Sequence, residues 1–242
     1  MVLVRTVAAF GLTLICMVGF IPFALPAFIL GFLGLRRSME WVNYRLAQSW
    51  AKIIIYITGC TLEVEGREYI PKKGGVCFVG NHVGIFDIIL ALANTGRPFG
   101  FIAKKELIYI PFLNLWIFLL GGLFIDRRNI RKALKTINHG IRKIRNGGGM
   151  LIFPEGTRSK GRGLLSFRSG SIKLATQSLV PIIPIAITGS YDVFEKYYRV
   201  HSVPVSIVFC PPIITAEMSP DERRHKLADE VRSVIEEVLV KQ

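Results

Sequence analysis

The chain has 242 residues, enough for one domain with a small addition. Lys and Arg outnumber Asp and Glu by 31 to 17, giving a formal charge of +14, and 51% of the residues are apolar. The charge calls for an anionic partner, while so high an apolar content argues against a nucleic-acid binder and for a protein at a membrane. The four cysteines, Cys16, Cys60, Cys77 and Cys210, lie in or beside apolar stretches without metal-binding spacing, which reads as buried thiols in a reducing compartment.

From Val7 to Leu35 no residue is charged. As one continuous helix this stretch would be about 44 Å long, against a hydrocarbon core of about 30 Å. Pro22 and Pro26 interrupt it. A cleaved signal peptide, a tilted span and a bent element entering and leaving on one side all fit a run of this kind. The missing A-x-A site and the apolar continuation to Leu35 favour the bent element. Met39, Val42, Leu46, Trp50 and Ile53 then recur at helical spacing, with Trp41 and Trp50 of the type found at lipid–water boundaries. This predicts a helix from Arg36 to about Tyr56, lying in the interface or packed on a core, with the following chain on the cytoplasmic side.

Beyond Thr61 strands and helices alternate. Strands are predicted at Leu62–Val64, Val76–Gly80, Phe99–Ala103, Gly122–Asp126, Met150–Phe153, Ile182–Thr188 and Val205–Phe209. Helices are predicted at Phe86–Ala93, Glu106–Leu120 (broken by Pro111), Asn129–Asn146 and Pro220–Leu239. The expectation is an α/β fold: one catalytic domain, residues 61–242, with a mixed sheet flanked by helices, preceded by an N-terminal helical membrane-anchoring element, residues 1–60.

Three stretches carry polar chemistry. In NHVGIFD (81–87), His82 and Asp87 are five apart and would face different ways on an ideal helix. A turn at Gly84 would let Asp87 sit in the first helical turn and fold back to His82. A carboxylate on one imidazole nitrogen fixes the tautomer and makes the other nitrogen a better base. No GxSxG occurs and Cys77 lies within a strand, so the base would act directly on a substrate hydroxyl. The alternative is a buried histidine satisfied by a neighbouring carboxylate. In FPEGTRS (153–159), Gly156 lets a ligand approach the backbone, Thr157 offers a hydroxyl and Arg158 a fork suited to phosphate. Glu155 is out of place in an anion site; it binds a substrate hydroxyl or holds Arg158. In GGLFIDRR (121–128), Asp126, Arg127 and Arg128 follow a strand directly, where α/β folds place ligands. From Arg127 to Arg168 there are twelve Lys and Arg against one acid, Glu155: a solvated face or a surface for anionic lipid, with too few aromatics for stacked single-stranded nucleic acid. No metal motif is present.

With VPIIPIAI (180–187), these blocks together resemble the lysophosphatidic acid (1-acylglycerol-3-phosphate) acyltransferase family of glycerolipid acyltransferases, across roughly residues 60–215. AKKEL (103–107) is similar to a basic segment often found between the first two blocks. The resemblance implies acyl transfer from an acyl carrier protein or coenzyme A thioester to the sn-2 hydroxyl of lysophosphatidic acid, giving phosphatidic acid. It implies His82 as general base oriented by Asp87, and Arg127 and Arg158 with Lys104 or Lys105 on the acceptor phosphate. Backbone N–H groups near Gly156, or a lysine, would stabilise the oxyanion. It implies no cofactor beyond the thioester, a membrane phospholipid surface as partner, and a place on the cytoplasmic face of the inner membrane. A different acceptor (glycerol-3-phosphate or a non-phosphate lysolipid), a lipid hydrolase and an anionic-lipid scaffold are the competing readings.

Overall fold

The computed structural model describes residues 1–241. Three helices come first: α1 (Val2–Gly19), α2 (Ile21–Phe32) and α3 (Arg36–Thr58). α1 and α2 are separated only by Phe20, and Pro22 falls in the first turn of α2, where a missing N–H leaves no helical bond unmade. Pro26 lies inside α2 without ending it. Val2–Ala24 is long and apolar enough to cross a bilayer, by length and composition alone. Both α1 and α2 also pack along α3. Arg5, the one charge in α1, reaches Gly59 beyond the C-terminal end of α3, where a helix dipole favours a cation.

Of the two placements open to the 36–56 helix, the structure shows core packing. Tyr44, Ala47, Ala51 and Ile54 of α3 are buried in the same cluster as the sheet. The Tyr44 hydroxyl meets the Leu92 carbonyl at 3.2 Å and receives the Gln48 amide at 3.0 Å. α3 is thereby joined to the body by packing as well as by sequence.

The body alternates strand and helix: β1 (Thr61–Glu65), β2 (Val76–Gly80), α4 (Phe86–Asn94), β3 (Gly100–Lys104), α5 (Leu113–Leu119), β4 (Leu123–Ile125), α6 (Ile130–Arg145), β5 (Gly149–Ile152), α7 (Ser169–Ser178), β6 (Ile182–Thr188), α8 (Ser190–Val193), β7 (Pro204–Phe209), α9 (Pro220–His225) and α10 (Leu227–Lys241). The seven strands run β1-β7-β6-β2-β5-β3-β4, all neighbours parallel except the antiparallel pair β6–β7. The sheet is thus mixed, as expected. β2 is central and buried at all five residues, which is why it reads as an unbroken apolar run. Two cores follow from the layering. One gathers α3 and α4 on the sheet, the other α6, α7 and α10.

Two predicted elements differ, and an observed helix was not predicted. The helix expected over 106–120 is a 3-10 turn, Lys105–Tyr109, followed by the short α5. Pro111 has no N–H to continue the first turn and holds Ile110 extended. The closing helix is two helices, of which only α10 buries a face, Leu227, Val231 and Ile235. α7 was not anticipated at all; its first turn, Ser169-Gly170-Ser171, has poor helix formers, and packing of Ile172, Leu174 and Ala175 in the second core supplies its stability.

Candidate active site

The site forms at the carboxyl ends of β2, β4, β5 and β6, the place where open α/β sheets hold ligands. Beyond Gly80 the Asn81 side chain takes over the pairing with β6. Its amide donates to the Ile187 carbonyl at 2.9 Å and its oxygen accepts the Ile187 N–H at 2.8 Å. That two-point clamp fixes the backbone just before His82.

Asp87 occupies the first turn of α4 and is fully buried. Its Oδ2 takes the His82 Nδ1–H at 2.7 Å and the N–H groups of Val83 and Gly84 at 2.8 and 3.1 Å. The pair five residues apart meets because the chain turns between β2 and α4, as the sequence suggested. Gly84, however, has no left-handed backbone angle. Its place is a close one: a Cβ there would lie 2.7 Å from Glu195 Oε2 and 3.1 Å from the Tyr191 backbone. With Nδ1 committed to Asp87, the imidazole carries its lone pair on Nε2. No described residue engages that nitrogen. Phe153 stacks on the ring, centroids 4.2 Å apart and planes 10° off parallel.

The FPEGTRS loop is bound to this segment by its backbone. Ser159 N–H donates to the His82 carbonyl at 2.6 Å, and Lys160 N–H to the Val83 carbonyl at 3.2 Å. Glu155 is buried beneath both stretches. It accepts the His82 N–H at 2.7 Å and the Leu165 N–H at 3.2 Å. Burial pushes its carboxyl above the usual range, and the two N–H groups partly offset this. Glu155 therefore shapes the backbone under His82; it does not hold Arg158. Arg158 pairs instead with Glu195, whose other oxygen accepts the Ile85 N–H.

A cavity of about 60 Å³ opens beside His82, lined among others by Arg127, Phe153, Gly156 and Ser171, with Ile102 and Ile137. Arg127 donates to the Gly156 carbonyl. Burial, then the neighbouring Arg168, holds its guanidinium below the usual value. Arg168 stands against Gly156, where an added Cβ would lie 3.0 Å from its Cδ; with a φ of 68° that position favours glycine twice over. Two guanidiniums thus converge on one glycine beside the histidine. Of the other predicted contacts, Thr157 is exposed and neither it, Lys104 nor Arg158 lines this cavity. Lys105 binds Asp126 at 3.0 Å, which raises the lysine's pKa and lowers the aspartate's. The Gly156 N–H is taken by the Phe153 carbonyl at 3.0 Å, so it is not free for an oxyanion.

Four residues of the site escaped the sequence reading: Phe153, Arg168, Ser190 and Glu195. Ser190, fully buried at the end of β6, donates its hydroxyl to Asp87 Oδ1. Only the fold brings it there, across 103 positions of chain. A Ser190→Ala protein is expected to lose about tenfold in kcat with little change in KM, because Asp87 loses one of the donors that hold it against His82. Steady-state kinetics on the purified variant checks this; an unchanged kcat would show that the other three donors suffice.

A buried aspartate bonded to a histidine, beside a cavity that Arg127 also lines, forms the candidate site of an α/β enzyme. Cys77 does not complete a nucleophilic pair: it is buried in β2, and burial drives its thiol far above the usual range. Residues 61–188 match the acyltransferase family. A 1-acyl-sn-glycerol-3-phosphate acyltransferase of Borreliella burgdorferi is 30% identical over 194 residues, covering 80% of this chain and 78% of that protein. One from Escherichia coli is 34% identical over 179 residues, covering 73% and 72%. The crystal structure of the 1-acyl-sn-glycerophosphate acyltransferase of Thermotoga maritima superposes with a TM-score of 0.84 at 27% identity, over 99% of this chain and 95% of that one. The chain belongs to the 1-acyl-sn-glycerol-3-phosphate acyltransferase family.

Proposed function

We propose that the protein transfers a fatty acyl group from an acyl carrier protein or coenzyme A thioester to the sn-2 hydroxyl of lysophosphatidic acid. The observation that carries this reading is that His82, its Nδ1 bonded to Asp87, lines one cavity with Arg127. The acceptor phosphate binds Arg127, with Arg168 on the other side of Gly156 and the amino-terminal turn of α7 alongside. His82 Nε2 takes the hydroxyl proton as the oxygen attacks the thioester carbon. The carbon–sulfur bond breaks, and the imidazolium, stabilised meanwhile by Asp87, gives its proton to the departing thiolate, so that the thiol leaves and His82 is again a neutral base. No acyl-enzyme forms. Apart from the thioester no cofactor is used.

A second cavity, about 100 Å³, lies on the opposite face of β3 between the amino-terminal helices and the body, walled by apolar side chains including Phe20, Trp50, Ile88, Leu113 and Trp116. It suits an acyl chain. A Leu113→Trp protein is expected to lose long-chain transfer about tenfold while keeping short chains, since each methylene excluded from an apolar site costs about 0.8 kcal/mol. A chain-length series of donors reads this directly; equal losses at every length would place the acyl chain elsewhere.

The acceptor is an amphiphile, and the apolar α1 and α2, both laid along α3, would hold the domain against the cytoplasmic leaflet from one side. The test offers purified protein lysophosphatidic acid, glycerol-3-phosphate or lysophosphatidylcholine with each donor. Phosphatidic acid from the first is the expected product. Free fatty acid without acceptor would mark a hydrolase, and lipid binding with no product from any donor a scaffold.

A further inference from the structure

The segment joining β3 to α5 has features that the acyl-transfer reading leaves unused. Ile108, Tyr109, Ile110 and Phe112, interrupted only by Pro111, are all exposed, Tyr109 at 76%. Phe118 on α5 is exposed at 58%, while its neighbours Trp116 and Leu119 pack with Ala24, Met17 and Phe20 of the amino-terminal helices. Through that packing α5 ties the segment to α1 and α2, where Leu14, Ile15 and Phe23 are exposed. Contiguous apolar surface of this kind marks an interaction site.

The backbone indicates what it meets. Irregular chain survives beside hydrocarbon only if its polar groups are satisfied within the protein. Here Ile110 N–H donates to the Leu107 carbonyl at 3.2 Å and Asn114 N–H to the Ile110 carbonyl at 3.1 Å. The Asn114 side chain donates to the Ile108 carbonyl at 2.8 Å and accepts the Leu115 N–H at 2.6 Å. Leu113 N–H closes on the Pro111 carbonyl at 2.7 Å around Phe112, with φ 62° and ψ −44°. This is a γ-turn of the rare positive-φ kind, which a bulky residue adopts only when its surroundings impose it. Lys104 and Lys105 stand exposed at the base of the segment, each beside a carboxylate (Glu106 at 3.8 Å and Asp126 at 3.0 Å), where lipid headgroup phosphates would lie.

We infer that Ile108–Phe112 inserts into the lipid surface as a second membrane contact beside α1 and α2. The inference rests on the membrane reading given above. It is tested by spin labels on the full chain bound to phosphatidylglycerol vesicles. Cysteine is placed at Tyr109, at Leu14 on α1 or at Asn138 on the exposed side of α6, each in a Cys60→Ser background, since the other three cysteines are buried. Labels at 109 and 14 are expected to relax with oxygen, and the label at 138 with an aqueous nickel chelate. A lipid-inserted label at 14 with a water-exposed label at 109 would overturn the inference and leave the anchor standing. Water exposure at both would remove the membrane reading and this inference with it. In parallel, Ile108→Ser with Ile110→Ser should weaken vesicle binding at least about tenfold; unchanged binding would also overturn it.

Discussion

Replacing His82 with alanine is expected to lower kcat by between about a hundredfold and ten-thousandfold, the range a general base contributes. KM for either substrate should change little, because the phosphate and the acyl chain are held by other residues. The fold should persist. Asp87 keeps the Val83 and Gly84 N–H groups and the Ser190 hydroxyl, and the backbone of residue 82 keeps its bonds to Glu155 and Ser159. What disappears is the imidazole stack on Phe153 and the basic nitrogen. Kinetics and a thermal melt on the same preparation separate the two roles. A variant that melts normally but turns over at the wild-type rate would make His82 a satisfied buried histidine, the alternative its sequence context allowed.

Arg127→Gln should act on the other half of the reaction. Losing a charge-assisted contact to a phosphate costs about 1.5–3 kcal/mol, so KM for lysophosphatidic acid should rise by about tenfold to a hundredfold. Arg127→Lys keeps the charge without the planar fork and should fall between. The diagnostic comparison is an acceptor without the phosphate, such as a monoacylglycerol. On that acceptor wild type and Arg127→Gln should be equally poor, since the guanidinium has nothing to bind. If the variant is impaired equally on both acceptors, Arg127 serves only to fix the Gly156 carbonyl, and the phosphate lies elsewhere.

The sheet was legible because its strands are short apolar runs between turns, and each predicted strand lies within a residue or two of an observed one. Helices were legible where an apolar stripe is regular, as in α6, which buries Ile137, Ile141 and Ile144. They were not where tertiary packing decides, as in α7, or where one proline overrides an apolar stretch, as between Lys105 and Leu113. The same division runs through the site. His82 and Asp87 are five apart, so a local turn explains their meeting. Arg127 follows its strand directly. Arg158 was read from its guanidinium as a phosphate ligand, but the fold supplies Glu195, 37 positions away, as its partner. Glu155 looked misplaced in an anion site because its real partners are backbone N–H groups, which no sequence displays.

The central claim is that the acyl group passes directly from thioester to a phosphate-held hydroxyl activated by His82. A single-turnover experiment with a radiolabelled acyl thioester, enzyme in excess and lysophosphatidic acid present tests it most directly, by following the label in rapidly quenched samples. The account predicts that label moves from the thioester to phosphatidic acid with none held covalently on the protein at any time. Protein-bound label that rises before phosphatidic acid and decays as it forms would contradict it.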